Sequence, residues 1–139
     1  MKRISRLAEL GWVLDEHILS VPHTLHALLL SADGLAVTLS GDLDRAVADR
    51  MAATVSGMQS LSQAATEFAD GEDDVWELTM MKYRGSFIFV CAVDPVTYLA
   101  VSAAKDVDVE TVGFAMEKMT DRLGHELAIP ARSAGGASS

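Results

Sequence analysis

Hydrophobic residues recur along this chain in two rhythms. Over residues 4–19, Ile4, Leu7, Leu10 or Gly11, Leu14 and Ile18 return at steps of three and four. That spacing predicts one apolar face of an amphipathic helix. Pro22 ends the element, because it lacks an amide hydrogen and disfavours helix in the residue before it. The rhythm then shortens. "LLLSADGLAVTLS", from Leu28 to Ser40, sets two apolar runs on either side of Asp33-Gly34. This is the strongest short hairpin signal a sequence offers, and it predicts antiparallel strands over 24–31 and 35–40.

The helical rhythm returns after Asp42 or Asp44, either of which can cap a helix, and lasts to about Ala69. Val47, Met51, Thr54, Val55, Met58, Leu61, Ala65 and Phe68 form a stripe expected to cover a sheet. Beside it runs a second series, Ala46, Ala53, Gly57, Ser60 and Ala64, whose small side chains let another helix approach closely. Gly57 is otherwise costly there, by roughly 1 kcal/mol against alanine. The small stripe is expected to pack on the same helix of a second copy. The competing reading places it beneath a loop or helix of its own chain.

Alternation resumes in "VWELTMMKY", residues 75–83, and Arg84-Gly85 marks a turn. "SFIFVCAV", 86–93, is apolar on both faces, so it is expected in the middle of a sheet. Asp94-Pro95 turns the chain into "TYLAVSAA", 97–104, the third strand of the same meander. Asp106 or Asp108 then caps a last helix near 109–127, with Val109, Val112, Met116, Met119, Leu123 and Leu127 as its buried stripe and Gly124 and Pro130 at its end. The order is helix, two strands, long helix, three strands, helix. Most links are hairpins, so an α+β fold is predicted: one five-stranded antiparallel sheet with helices on both faces. A single domain is expected over 1–128, and the small, glycine-rich tail 129–139 is expected to be disordered.

Composition narrows the function. The 139 residues suit one domain, and half of them are hydrophobic, enough for a core. No uncharged apolar run reaches eighteen residues, so no membrane span is predicted. The start is basic at Lys2, Arg3 and Arg6, as in a signal peptide, but Glu9, Asp15 and Glu16 interrupt the apolar region such a peptide needs. A cytoplasmic protein is expected, brought to a membrane only through partners. The single Cys91 agrees with a reducing compartment. A formal net charge of −9 argues against nucleic acid as a partner, because that binding runs on Lys and Arg. Asp70, Glu72, Asp73, Asp74 and Glu77 crowd one connector, read as a flexible acidic loop or a dock for a basic surface.

Candidate chemistry is sparse. No phosphate-binding loop, dinucleotide fingerprint or nucleophile elbow is present. His23 and His26 stand three apart, which in a strand sends them to opposite faces, so no zinc site is expected and no metal or cofactor is assigned. Cys91 is assigned to the core. Arg45 and Arg50 read as solvated helix surface and Arg84 as a turn residue. No nucleophile–base pair emerges, so the protein is not expected to be an enzyme.

The stretch "GWVLDEHILSVPHTLHALLLSADGLAVTLSGDLDRAVADRMAATVSGMQSLSQAA", followed by "GSFIFVCAV", "YLAV" and "VGFAMEKMTDRLGHEL", resembles the actinobacterial branch of the Roadblock/dynein-light-chain family over about residues 7–128. The resemblance implies the same element order. It also implies dimers in which the third strand of each copy pairs across a twofold and the long helices lie side by side. Val75, Trp76, Leu78 and Met80 would then join Ala46, Ala53, Gly57, Ser60 and Ala64 at the interface. Members commonly bind small Ras-like GTPases, and actinobacterial relatives are often encoded beside one, together with a sensor-kinase-like protein. The resemblance therefore implies a homodimeric, non-catalytic regulator or scaffold for a small GTPase, with Arg45, Asp49, Ser56 and Gln63 as partner contacts. The alternatives are a small-ligand sensor or a dimerisation scaffold with no GTPase partner. Two departures bear on partner choice: the connector after Gly71 is mostly acidic, and "DPVTY" replaces a more glycine-rich turn.

Overall fold

The computed structural model describes residues 11–69 and 74–138, with side chains described as far as His125. The elements run α1 (Gly11–His17), β1 (Thr24–Ser31), β2 (Ala36–Leu39), α2 (Arg45–Ala64), the short α3 (Thr66–Ala69), β3 (Leu78–Lys82), β4 (Ser86–Asp94), β5 (Thr97–Ala104) and α4 (Val109–Ser138). All strand pairs are antiparallel, in the spatial order β2-β1-β5-β4-β3. This is the α+β sheet the patterning predicts, with α2 on one face and α1 and α4 on the other.

Each sheet face seals its own core. Leu29, Phe87, Phe89, Leu99 and Val101 meet Val13, Leu14 and Ile18 of the first helical segment and Val112, Met116, Met119 and Leu123 of α4. Leu28, Leu30, Val90, Tyr98 and Ala100 meet Ala48, Ala52 and Val55 of α2. Thr97–Val101 are all buried, because β5 is the central strand with neighbours on both edges and helices on both faces. The expectation for 86–93 needs that adjustment: β4 lies one place from the centre, and Ile88 on it is only half-buried.

Polar contacts fix the joints. Asp15 on α1 accepts a hydrogen bond from the Gly41 amide at 2.9 Å, tying α1 to the loop before α2. Ser40, buried, accepts from the Ala27 amide at 3.0 Å. Asp44, not Asp42, caps α2: its side chain accepts from the Val47 amide. Asp108 serves α4, accepting from the Glu110 and Thr111 amides.

Three boundaries differ from the sequence reading. The long helix stops at Ala64, and Ala65 separates it from the one-turn α3. The strand read over 75–83 is ladder-paired only over Leu78–Lys82, ending where Leu78 faces Cys91. The backbone of α4 runs on past Gly124 and Pro130 to Ser138. Glycine lowers helix propensity without forbidding helix, and proline removes one hydrogen bond from a helix already nucleated upstream. The tail expected to be disordered over 129–139 has helical backbone as far as Ser138; its side chains lie outside the described residues, as do Ile4, Leu7, Leu10 and most of the acidic connector.

Phe89, 1% exposed and stacked on Phe87 at 5.7 Å between centroids, anchors the α1/α4 side. Phe89→Ala is expected to cost about 3–5 kcal/mol in urea unfolding. A loss below about 1 kcal/mol would show that this side of the sheet repacks freely.

Candidate interaction surface

The long helix meets the sheet through small residues. Ala48 and Ala52 are fully buried, and Val55 and Gln59 complete the seated face. Their size draws the α2 backbone close to β1 and β2. The hairpin tip closes in as well. Gly34 has φ +89°, where L residues are strained, and a Cβ placed on it would stand 3.4 Å from the Ala53 Cα. Ser56 donates to the Ala32 carbonyl at 2.7 Å. The helix is thereby held over the β1–β2 half of the sheet.

The remaining half stays open. Turning about the helix axis at about 100° per residue, Val47, Met51, Met58 and Leu61 lie on the flank nearest β4 and β3. Met51 and Leu61 are exposed, Leu61 at 73%. With Leu28, Ile88, Ala100 and the aligned pair His26 and Ser102, this flank bounds a cleft of about 190 Å³. The stripe expected to cover the sheet is therefore split. Val55 is buried and Val47 and Met58 are half-buried, while Met51, Thr54, Leu61, Ala65 and Phe68 are exposed. Alanines seat the helix because they allow closer approach, and the bulky residues are left at the side.

The small stripe lies elsewhere. Ala46, Ala53, Gly57, Ser60 and Ala64 are all exposed, on the crest of α2 away from the sheet, and a Cβ on Gly57 would meet nothing within 4 Å. Arg45, Asp49, Ser56 and Gln63 fall within about 40° of one another around the axis, a single line beside that crest. Arg45 and Asp49 form an ion pair at 3.3 Å, and Gln63 accepts from Gln59 at 2.9 Å. Ser56 is already committed to the hairpin tip.

The residues assigned to the third strand do stand at a free border. Among the described residues β3 pairs only with β4, so its other edge carries backbone groups with no strand partner there, a template for another strand. Leu78 and Met80 are about half exposed and Val75 is 74% exposed. Trp76 is tucked in, edge-on to Tyr98 at 5.9 Å. Its Nε1–H donates to Thr79, whose hydroxyl donates to Ser62 on α2, both at 2.7 Å. That relay fixes the edge strand to the long helix; neither residue type nor spacing marked it in the sequence.

Among the described residues no three His, Cys, Asp or Glu side chains gather as metal ligands. His23 stands before β1 with φ 74°, not within it, so the strand argument that separated it from His26 does not apply; His26 lies 3.5 Å from Asp42. Cys91 is buried, which pushes its thiol pKa up against a smaller opposing effect of its contact with Thr120.

The sequence model of the Roadblock/LC7 domain matches residues 10–103. A Roadblock/LC7 domain from Streptomyces avermitilis superposes with a TM-score of 0.78 at 31% identity, over 85% of this chain and 97% of that one. A second domain of that description from the same organism gives 0.66 at 26%, over 82% and 97%. Myxococcus xanthus MglB shares the fold at 0.73 and 13% identity, over 86% and 95%. Proteins of curated function provide no match.

Because burial raises the Cys91 pKa, its neutral form supports the fold at neutral pH, and that contribution is lost as pH rises through and beyond the ordinary thiol range. Iodoacetamide at pH 8 is expected to alkylate the native thiol roughly tenfold or more slowly than the urea-unfolded one. Equal rates would place Cys91 at the surface.

Proposed function

The chain belongs to the Roadblock/LC7 family, and on that footing we propose that it is a non-catalytic homodimer that binds and regulates a small Ras-like GTPase. The observation that carries the reading is the one-sided seating of α2, which leaves an apolar flank, a free strand edge and an unobstructed crest on one molecule. Each suits a different contact. A second copy paired along β3 extends the sheet, and its long helix covers the flank of Val47, Met51, Met58 and Leu61. The crest of Ala46, Ala53, Gly57, Ser60 and Ala64, with Arg45, Asp49, Ser56 and Gln63 beside it, is then left for the GTPase. The small residues that suggested a helix–helix seam serve better here as a flat landing for a partner. A sensor-kinase-like protein from the same gene cluster is a further partner under this reading.

The open cleft is the feature that favours a small-ligand sensor, since Ser102 Oγ is buried there without a hydrogen-bond partner. At about 190 Å³ it falls short of the roughly 300–1,000 Å³ of most ligand sites, and apart from His26 and Ser102 its walls are apolar. Cover by a second copy suits it better. No described helix is long and apolar enough to cross a membrane.

Two arginine substitutions separate the roles. Met51→Arg is expected to give monomers in sedimentation, and Ala53→Arg to leave the dimer mass unchanged while abolishing GTPase binding. The reverse pattern would restore the small stripe to the dimer interface. Calorimetry against the small GTPase encoded nearest to this protein, loaded with GDP and then with a non-hydrolysable GTP analogue, tests the partner itself. Binding in one nucleotide state is expected. An intact dimer that binds in neither state would overturn the GTPase reading and leave a scaffold.

A further inference from the structure

The opposite face of the sheet carries a second unfilled feature, away from α2. A groove of about 490 Å³ runs between α4 and the outer strands. Its floor is apolar: Leu78, Cys91, Ala92 and Met116. Leu78 is 50% exposed, and Met80, next along the same face of β3, is 48% exposed. The wall of α4 facing the groove is low, because Gly113 and Thr120 lie on that flank and a Cβ on Gly113 would meet nothing within 4 Å. Glu77, Glu117 and Asp121 stand along the rim. None of the three has an ion-pair partner among the described residues.

We propose that this groove is a docking site for a basic amphipathic helix of a partner protein, a little over two turns long. The length follows from the wall: Gly113 to Asp121 covers about 12 Å of helix. Apolar residues of the guest at steps of three and four would cover Leu78, Met80 and Met116, and its Lys or Arg residues would meet the unpaired acids. The charge selects the occupant. A second copy of a chain carrying a formal net charge of −9 would bring acid against acid.

The test uses the full chain and a fluorescein-labelled 14-residue peptide of Leu and Lys in helical spacing, with its Leu/Glu counterpart as control. The basic peptide is expected to bind at least tenfold more tightly by fluorescence anisotropy, with amide NMR shifts at Leu78, Met80 and 113–121. Glu117→Lys combined with Asp121→Lys is expected to weaken binding at least tenfold, and so is Gly113→Leu, which fills the groove. Glu67→Lys combined with Glu16→Lys, the same change in net charge elsewhere, is expected to leave binding within twofold. Loss of binding in that control to the same degree, shifts confined to α2, or no preference for the basic peptide would each overturn the proposal. So would a change in oligomer mass on Glu117→Lys with Asp121→Lys, which would mark the groove as a contact between copies.

Discussion

Everything distinctive in this molecule follows from how closely α2 approaches the sheet. Ala48 and Ala52 have no side chain beyond Cβ, so the helix backbone settles onto β1 and β2. Gly34 and Ser56 lock it there from the hairpin side. A helix seated so near one edge cannot also cover the other. The uncovered half is a consequence of good packing, not a failure of it.

That asymmetry assigns work to surfaces that would otherwise be unremarkable. An apolar flank beside an open cleft and a bare strand edge point the same way, so one partner can satisfy both. The crest faces neither, which frees it for a different partner. Leu61, Met51, Leu78 and Met80 would be a liability on an isolated monomer, because exposed apolar groups at a free strand edge invite association. Their distribution over two faces means that one dimer contact does not cover them all.

Much of this architecture is legible in the sequence. Asp33-Gly34 marks the hairpin because only a few residues tolerate its turn, while the alternation of 75–83, the continuous apolar run of 86–93 and the turns between them locate β3, β4 and β5 without knowledge of their order. What periodicity cannot reveal is which of two adjacent stripes on one helix touches the sheet. A hydrophobicity count favours Met51, Leu61 and Phe68 over Ala48 and Ala52, yet the smaller residues win where close approach adds more contact than bulk does. The side of α2 that carries Arg45, Asp49, Ser56 and Gln63 follows from helical geometry, whereas the commitment of Ser56 to Ala32 does not. The relay from Trp76 through Thr79 to Ser62 joins residues far apart in sequence, and a local pattern holds no trace of it. The groove beside α4 was hidden for the same reason: its floor and its wall come from different elements.

The strand order also dictates when the fold can close. β1, at Thr24–Ser31, has β2 on one side, but its other neighbour is β5, at Thr97–Ala104. A chain emerging from the ribosome holds Leu28, Leu29 and Leu30 ready long before that neighbour exists. The hairpin and α2 can assemble early through local contacts, yet the α1 side of the sheet stays unroofed until the last helix arrives to cap it. Synthesis therefore passes through a stage in which a nearly complete N-terminal half offers an apolar strand edge to whatever is nearby. Under the proposed pairing, the timing of the chain's own last strand decides whether it first meets itself or a neighbour still on the same messenger.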